Sequence, residues 1–373
     1  MRKSILSVFS GVLITVSCLI ILGLLLGLAG TGTGAESVST AGVNILDTFE
    51  RNLNNQVSDV LEGIIPVRRT YTLSDSDMVA PQPNADCFGQ AEAPEELAQL
   101  LQEAALLLEG QKTLFTTETP IKEGSTIHYY LDDTILAVTW KQVIDDCTYT
   151  FSEVKLAHAS QFRRFLSEGR YDSGILHTTT EMSESVNAVV ASSGDYYGYR
   201  SIGIVVNEGQ VYRDRGHFLD TCYIDDNGDM LFTYAGDITD RETAQKFVDE
   251  NNVRFSICFG PVMVLNGEFC VPFDYNSGEI NSAYARAALC QMDKLHYVVV
   301  TANSEEPNYS MPTVAQFGQR LMEMGIPTAY ALDGGQTAAI VMNDQLINTV
   351  SYGSQREISD IIYFATALPE RKQ

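Results

Sequence analysis

The chain has 373 residues, of which 45% are apolar and 19% charged, and Asp and Glu outnumber Lys and Arg by 48 to 24. Its length and apolar share allow a substantial core in one large domain or two moderate ones. A formal net charge of −24, with no basic cluster to offset it, argues against nucleic acid or an anionic lipid surface as the main partner.

Met1-Arg2-Lys3 precedes an uncharged stretch, apolar from Ile5 to Leu28, that is long enough to cross a bilayer. A cleaved signal peptide has the same order of features, but the apolar run exceeds an ordinary signal core, so an uncleaved anchor is expected over residues 1–35. Positive charge ahead of the span keeps the amino terminus in the cytoplasm and sends the rest outside, giving a single-pass cell-membrane protein with an extracytoplasmic carboxy-terminal part. Six cysteines follow the span, at Cys87, Cys147, Cys222, Cys258, Cys270 and Cys290. Without a CxxC pair a zinc site is disfavoured, and both disulfides and buried thiols stay open.

Residues 36–124 read as a helical stalk or spacer. Leu46, Phe49, Leu53, Val57 and Val60 recur at helical spacing, and Pro94-Glu95-Glu96 opens a second helix with Leu97, Leu100, Leu101, Ala104 and Leu108 on one face. From Ser125 the pattern turns to short strands: Ile127 to Leu131, Thr134 to Trp140 and Cys147 to Val154, with Asp132-Asp133 and Asp145-Asp146 at turns rather than at a metal. Ser160 to Glu168 is read as a short helix. Hairpins follow around Asn207-Glu208-Gly209, Asp226-Asn227-Gly228 and Asn266-Gly267. Asp225 to Asp229 lacks the alternating ligands of a calcium loop and is taken as a turn. Thr313 to Met324 forms a helix with Thr313 and Gln316 at capping-box spacing, and Thr328 to Leu332 a strand. The fold expected for residues 125–368 is α+β, a mainly antiparallel sheet with few helices.

Three segments put polar groups at the ends of such elements, where chemistry is often mounted on a rigid scaffold. In Ser193-Gly194-Asp195-Tyr196-Tyr197-Gly198-Tyr199-Arg200 a carboxylate, aromatic faces and a cation suit a sugar with a negative substituent. Arg286 sits among small and apolar residues before the strand His296 to Val300, so it needs an internal partner or a cleft. Leu332-Asp333-Gly334-Gly335-Gln336-Thr337 follows a strand with glycines that let a backbone approach a ligand and offer amides to an anion.

Taken in order, these segments, with Phe259-Gly260-Pro261, Asn266-Gly267 and Gly353-Ser354-Gln355-Arg356, resemble the phosphodiester glycosidase family, most strongly over residues 187–363. That family includes the enzyme that uncovers mannose 6-phosphate and bacterial proteins linked to exopolysaccharide. Ser193 stands where the family has asparagine, and Gln336 and Thr337 where it has glycine and serine. The resemblance implies hydrolysis of a glycosyl phosphodiester in cell-envelope material. Asp333, Asp195 and Arg286 would be catalytic, while Ser193, Gly194, Tyr196, Tyr197, Arg200, Gly334, Gly335, Gln336, Thr337 and Arg356 would bind substrate. Arg286 and the amides of Gly334 and Gly335 would hold the phosphate. No cofactor is required, a divalent metal stays open, and the partners expected are a glycan or sugar phosphate and the membrane. The alternatives are a non-catalytic, anchored glycan-binding or scaffold protein, favoured by the three departures, and a metal-dependent phosphodiesterase, for which the histidines show no ligand spacing.

Overall fold

The computed structural model describes residues 71–368 except 75–76, 276–278 and 307–309. The expected anchor and the helix around Leu46 to Val60 lie outside these residues; among those described, no helix is long and apolar enough to cross a membrane.

Among the described residues nineteen strands, numbered here in chain order, form three sheets, and the pairings between them are antiparallel. The largest runs β1 (Phe88–Ala91), β2 (Ile127–Leu131), β3 (Ile135–Ile144), β4 (Cys147–Leu156), β15 (His296–Asn303), β14 (Arg286–Asp293), β16 (Thr328–Leu332), β12 (Val262–Leu265) and β13 (Glu268–Phe269). A second sheet runs β18 (Gln345–Leu346), β17 (Ile340–Met342), β6 (Val190–Ser193), β19 (Asp360–Phe364) and β5 (Phe162–Leu166). A third runs β10 (Met230–Thr233), β9 (Thr221–Asp225), β11 (Val253–Ile257), β7 (Gly203–Asn207) and β8 (Gln210–Arg215). The α+β expectation holds, with three sheets where one was foreseen.

The middle of the large sheet is buried on both faces, so β15 and β16 read as largely apolar runs, whereas β4 alternates apolar residues with buried Thr148, Thr150, Ser152, Glu153 and Lys155. On β15, Val298, Val300 and Ala302 face a core with Trp140, Phe151 and Phe317, while Tyr297 and Val299 face another with Phe162, Ile257, Ile340 and Phe364. Helix α4 (Val314–Glu323) covers the first face; Thr313 caps it and exchanges hydrogen bonds with Gln316, as its sequence foretells. Helix α1 (Ala98–Glu103), flanked by two 3-10 turns, brings Leu97 and Ala104 into that same core. With β1 paired to β2, the stretch from Phe88 to Phe115 is thus an integral part of the fold rather than a detached spacer. The second and third sheets carry α2 (Thr179–Ser185) and α3 (Arg241–Glu250) respectively, through Met182 and through Ala244 and Val248.

The segment Ser160 to Glu168, expected as a short helix, is strand from Phe162 to Leu166 with a 3-10 turn at each end. Its register against β19 puts Phe162 in the core between sheets and Arg164 beside Asp360, a long-range pairing that overrides local helix preference. The acidic pairs make turns. Asp132 accepts from the Thr134 and Ile135 amides, Asp145 and Asp146 take φ of 50° and 56° in the β3–β4 hairpin, and Asp225 accepts from the Asn227 and Asp229 amides. All six cysteines beyond the first segment are free thiols.

Candidate active site

Strand ends from all three sheets meet around one open cleft. β16 delivers Asp333, β14 begins at Arg286, the turn after β6 carries Tyr196 and Arg200, and the turn after β11 carries Phe259. With Gly334, Gly335 and Arg356 these residues line a volume of about 520 Å³. A strand end is a stiff mount with a free outlet for the side chain, which suits a site needing fixed geometry.

Asp333 has one oxygen occupied and one unused. Oδ1 accepts from the Gly334 amide at 3.0 Å, while the buried Oδ2 has no hydrogen-bond partner. Burial raises its pKa, against the opposing pull of the Thr337 hydroxyl, Arg356, the Gly334 amide and Arg200. A buried carboxylate oxygen without a partner is costly to keep and marks a position held for a ligand or a proton.

Arg200 donates from Nη2 to Asp195 Oδ1 at 2.9 Å and lies 5.4 Å from the Phe259 ring centroid and 5.8 Å from that of Tyr196, with its buried Nε unpartnered. Arg356 lies 5.9 Å from the Tyr199 ring centroid and forms no ion pair among the described residues. Arg286 is spent on the backbone: it donates to the carbonyls of Pro312 at 3.2 Å, Glu279 at 2.9 Å and Ser282 at 2.5 Å. Burial pushes its pKa down to about 10, so it stays cationic at neutral pH, and it shapes the wall formed by residues 279–286.

Other expected site residues stand behind this surface. Asp195 is 3% exposed; besides Arg200 it accepts from the Cys258 amide at 3.0 Å, and Arg164 Nη2 is 3.9 Å away. Its carboxylate therefore holds Arg200 instead of lining the cleft. Tyr197 is buried, donating to the Ser359 carbonyl, and Ser193 Oγ is buried without a partner. Gly194 lies against Asp360, whose carboxylate a Cβ there would meet at 2.4 Å. The amides of Gly334 and Gly335 are not free for phosphate, since Asp333 and the Ala285 carbonyl take them. Thr337 is buried with its hydroxyl on the Gly334 carbonyl, and Gln336 turns away to the Ser354 carbonyl at 3.1 Å.

Beneath the cleft a line of alternating charge runs into the core. Arg164, with a fully buried side chain, donates from Nε to Asp360 Oδ2 at 2.6 Å and from Nη1 to the Val206 and Ser256 carbonyls. Asp360 Oδ1 accepts from the Asp195 amide, and Asp195 passes the line on to Arg200. Burial works against the charge on Arg164, yet Asp360 and Asp195 outweigh it and hold its pKa up. Burial raises the pKa of Asp360, Arg164 opposes that, and Asp195 adds to it. Sequence reading did not single out Arg164 or Asp360. A charged residue inside an apolar strand, as in Phe162-Arg163-Arg164-Phe165-Leu166 and Asp360-Ile361-Ile362-Tyr363-Phe364, is the signal that could have found them. Glu279, the other carboxylate lining the cleft among the described residues, carries no such signal.

Among the described residues no group of three His, Cys, Asp or Glu gathers that could hold a metal ion. Gly334 is the tightest backbone approach in the site, where a Cβ would sit 2.2 Å from the Ala285 carbonyl oxygen. Gly334→Ala is therefore expected to push the 333–337 turn off β14 and remove any activity that depends on Asp333, with the fold retained. Circular dichroism and an activity assay check this together; a variant as active as wild type would show that the close approach is dispensable.

Residues 185–365 match the family model described as phosphodiester glycosidase. The chain carries a phosphodiester glycosidase domain. The cleft lies on the strand ends of this domain, with Glu279, Arg286, Asp333 and Arg356 all inside the matched span. Among solved structures, the fold is similar to the catalytic domain of zebrafish N-acetylglucosamine-1-phosphodiester alpha-N-acetylglucosaminidase, described as auto-inhibited by its pro-peptide. The TM-score is 0.51 and the identity 15%, over 70% of this chain and 92% of that one. A hypothetical protein from Synechocystis aligns at TM-score 0.46 and 12% identity, over 66% of this chain and 64% of that one. No curated protein matches.

Proposed function

We propose that the phosphodiester glycosidase domain hydrolyses a glycosyl phosphodiester, breaking the bond between the anomeric carbon and the phosphate oxygen. The observation that carries this reading is the buried, unpartnered Oδ2 of Asp333 in a cleft with Arg200 and Arg356. The arginines match the two anionic oxygens of a diester, and a carboxylate beside the anomeric carbon stabilises an oxocarbenium-like state. Water supplies the hydroxyl, its proton passes to a carboxylate or to solvent, and the phosphate monoester leaves with the bonding electrons. Because that leaving group is already weakly basic, protonating it gains little, and Asp333 works ionised as base, nucleophile or electrostatic partner.

The apolar run after Met1-Arg2-Lys3 supports a single-pass anchor with the domain outside the cytoplasm, where the substrate would be cell-envelope glycan. Purified protein incubated with the methyl diester of N-acetylglucosamine 1-phosphate should release free sugar and methyl phosphate. Phosphate left on the sugar would mean phosphorus–oxygen cleavage and sink the reading; glycan binding without any release would replace it with a non-catalytic binding role.

A further inference from the structure

Arg200 and Arg356 line the same cleft but are held by different means. Asp195 fixes Arg200 through an ion pair of 2.9 Å. Arg356 has no such anchor among the described residues. Its backbone amide donates to the Gln336 carbonyl at 3.3 Å, and its guanidinium carbon lies 5.9 Å from the ring centroid of Tyr199. At that range the negative face of an aromatic ring attracts a cation, more strongly where water is excluded.

Tyr199 is not part of the cleft lining and is 43% exposed, yet it is pinned from two sides. On one side its hydroxyl donates to the carbonyl of Glu357, the neighbour of Arg356, at 2.6 Å. The Gly198 amide beside it donates to Ser359 Oγ at 3.1 Å, and a Cβ at Gly198 would meet the Ser359 Cβ at 2.9 Å, so the two segments run in close contact. On the other side its ring stacks on Tyr196, with centroids 4.9 Å apart and planes 14° from parallel. Tyr196 in turn has Arg200 at 5.8 Å, and Arg200 has Phe259 at 5.4 Å. The row across the site is therefore Arg356, Tyr199, Tyr196, Arg200, Phe259. None of its three rings belongs to an apolar core among the described residues. Their faces are given to the two cations instead.

We propose that Tyr199 is a positioning residue for the cleft: its ring sets where the Arg356 guanidinium rests, and its stacking on Tyr196 fixes the gap between the two arginines. A diester phosphate has two anionic oxygens at a fixed separation, so a pair of arginines with a fixed gap binds it better than a pair in which one swings freely.

The inference rests on the proposed hydrolysis through the role given there to Arg200 and Arg356, and the same methyl diester tests it. Tyr199→Leu should raise KM by roughly three- to thirtyfold, the worth of one cation–ring contact, and change kcat by less than about twofold. The split is expected because an arginine that holds the phosphate equally before and during bond breaking contributes uniform binding. Tyr199→Phe keeps the ring and loses the hydroxyl, and it should recover most of the KM. Added to Arg356→Ala, Tyr199→Leu should cost little more, since the ring acts through that guanidinium. The exposure of Tyr199 and its place outside the apolar cores leave the fold intact in both variants. An unchanged KM in Tyr199→Leu overturns the inference. So does a Tyr199→Phe as impaired as Tyr199→Leu, which would move the role to the hydrogen bond on Glu357, and so do losses at positions 199 and 356 that simply add. If wild type cleaves no diester, the proposed reaction fails and calorimetry with inorganic phosphate judges the positioning role by itself. Binding weakened in Tyr199→Leu and recovered in Tyr199→Phe upholds it; equal binding by all three proteins, or binding by none, refutes it.

Discussion

Asp333→Asn lowers kcat/KM on a glycosyl phosphodiester by roughly 10²–10⁴-fold, the range seen when a positioned acid–base group is lost, and the variant melts no lower than wild type at neutral pH. The loss of rate follows from removing the charge beside the anomeric carbon while keeping the shape. The stability result follows from linkage. Burial raises the pKa of Asp333 in the folded state, so between its ordinary value and the raised one the folded protein binds more protons than the unfolded chain. The contribution of this residue is then favourable below the ordinary carboxylate range and is lost as pH rises through the raised value. At neutral pH the ionised group is a burden on the fold, and the neutral amide relieves it. The same shift moves the acid limb of wild-type kcat/KM above the range of an ordinary aspartate, with activity rising as Asp333 ionises. A rate profile that instead falls with pH across that window assigns Asp333 the role of proton donor. A variant that is both inactive and markedly less stable would show that the carboxylate serves the fold.

Arg164→Ala is expected to destabilise the domain by about 3–5 kcal/mol, the cost of removing one partner of a buried charge pair. Asp360 loses the guanidinium 2.6 Å from its Oδ2, and Asp195 keeps the Cys258 amide but has Arg200 as its remaining cation. Two carbonyls, of Val206 and Ser256, lose a donor as well. A melting temperature lower by roughly 6–20 °C would register this, and denaturant unfolding would give the free energy directly. A shift under two degrees would mean that relaxation or water replaces the guanidinium cheaply. Activity should also fall in folded protein, because the line Arg164–Asp360–Asp195 ends on Arg200.

Much of this framework is legible in the residues themselves. Thr328 to Leu332 ends where the strand run ends, and the Asn-Glu-Gly, Asp-Asn-Gly and Asn-Gly turns fall between paired strands because their side chains and glycines suit positive φ. The segments around Asp333, Arg286, Arg200 and Arg356 are recognisable by order, and the structure brings them to one cleft. What local sequence does not carry is direction and depth. Asp195 and Tyr197 lie in the same short segment as Tyr196 and Arg200, yet the first two are buried behind the site and the last two line the cleft. That division depends on Asp360 and Ser359, far along the chain. Similarly, Phe162 to Leu166 with its two arginines has the composition of a helix turn, and only the pairing with β19 makes it a strand. Helix α2 was within reach, since Thr178 and Glu181 stand at capping-box spacing.

The join between β4 and β15 sets a timetable for the chain. The meander β2–β3–β4 forms from neighbouring residues, but its next partner is translated only after the whole of the second half up to Asn303. Until then β4, buried along its full length in the finished protein, presents an open edge ready to pair with any strand it meets. Such distant closure folds slowly and leaves apolar surface uncovered during synthesis, so between completion of β4 and of β15 the nascent chain carries an edge that its own copies could pair with.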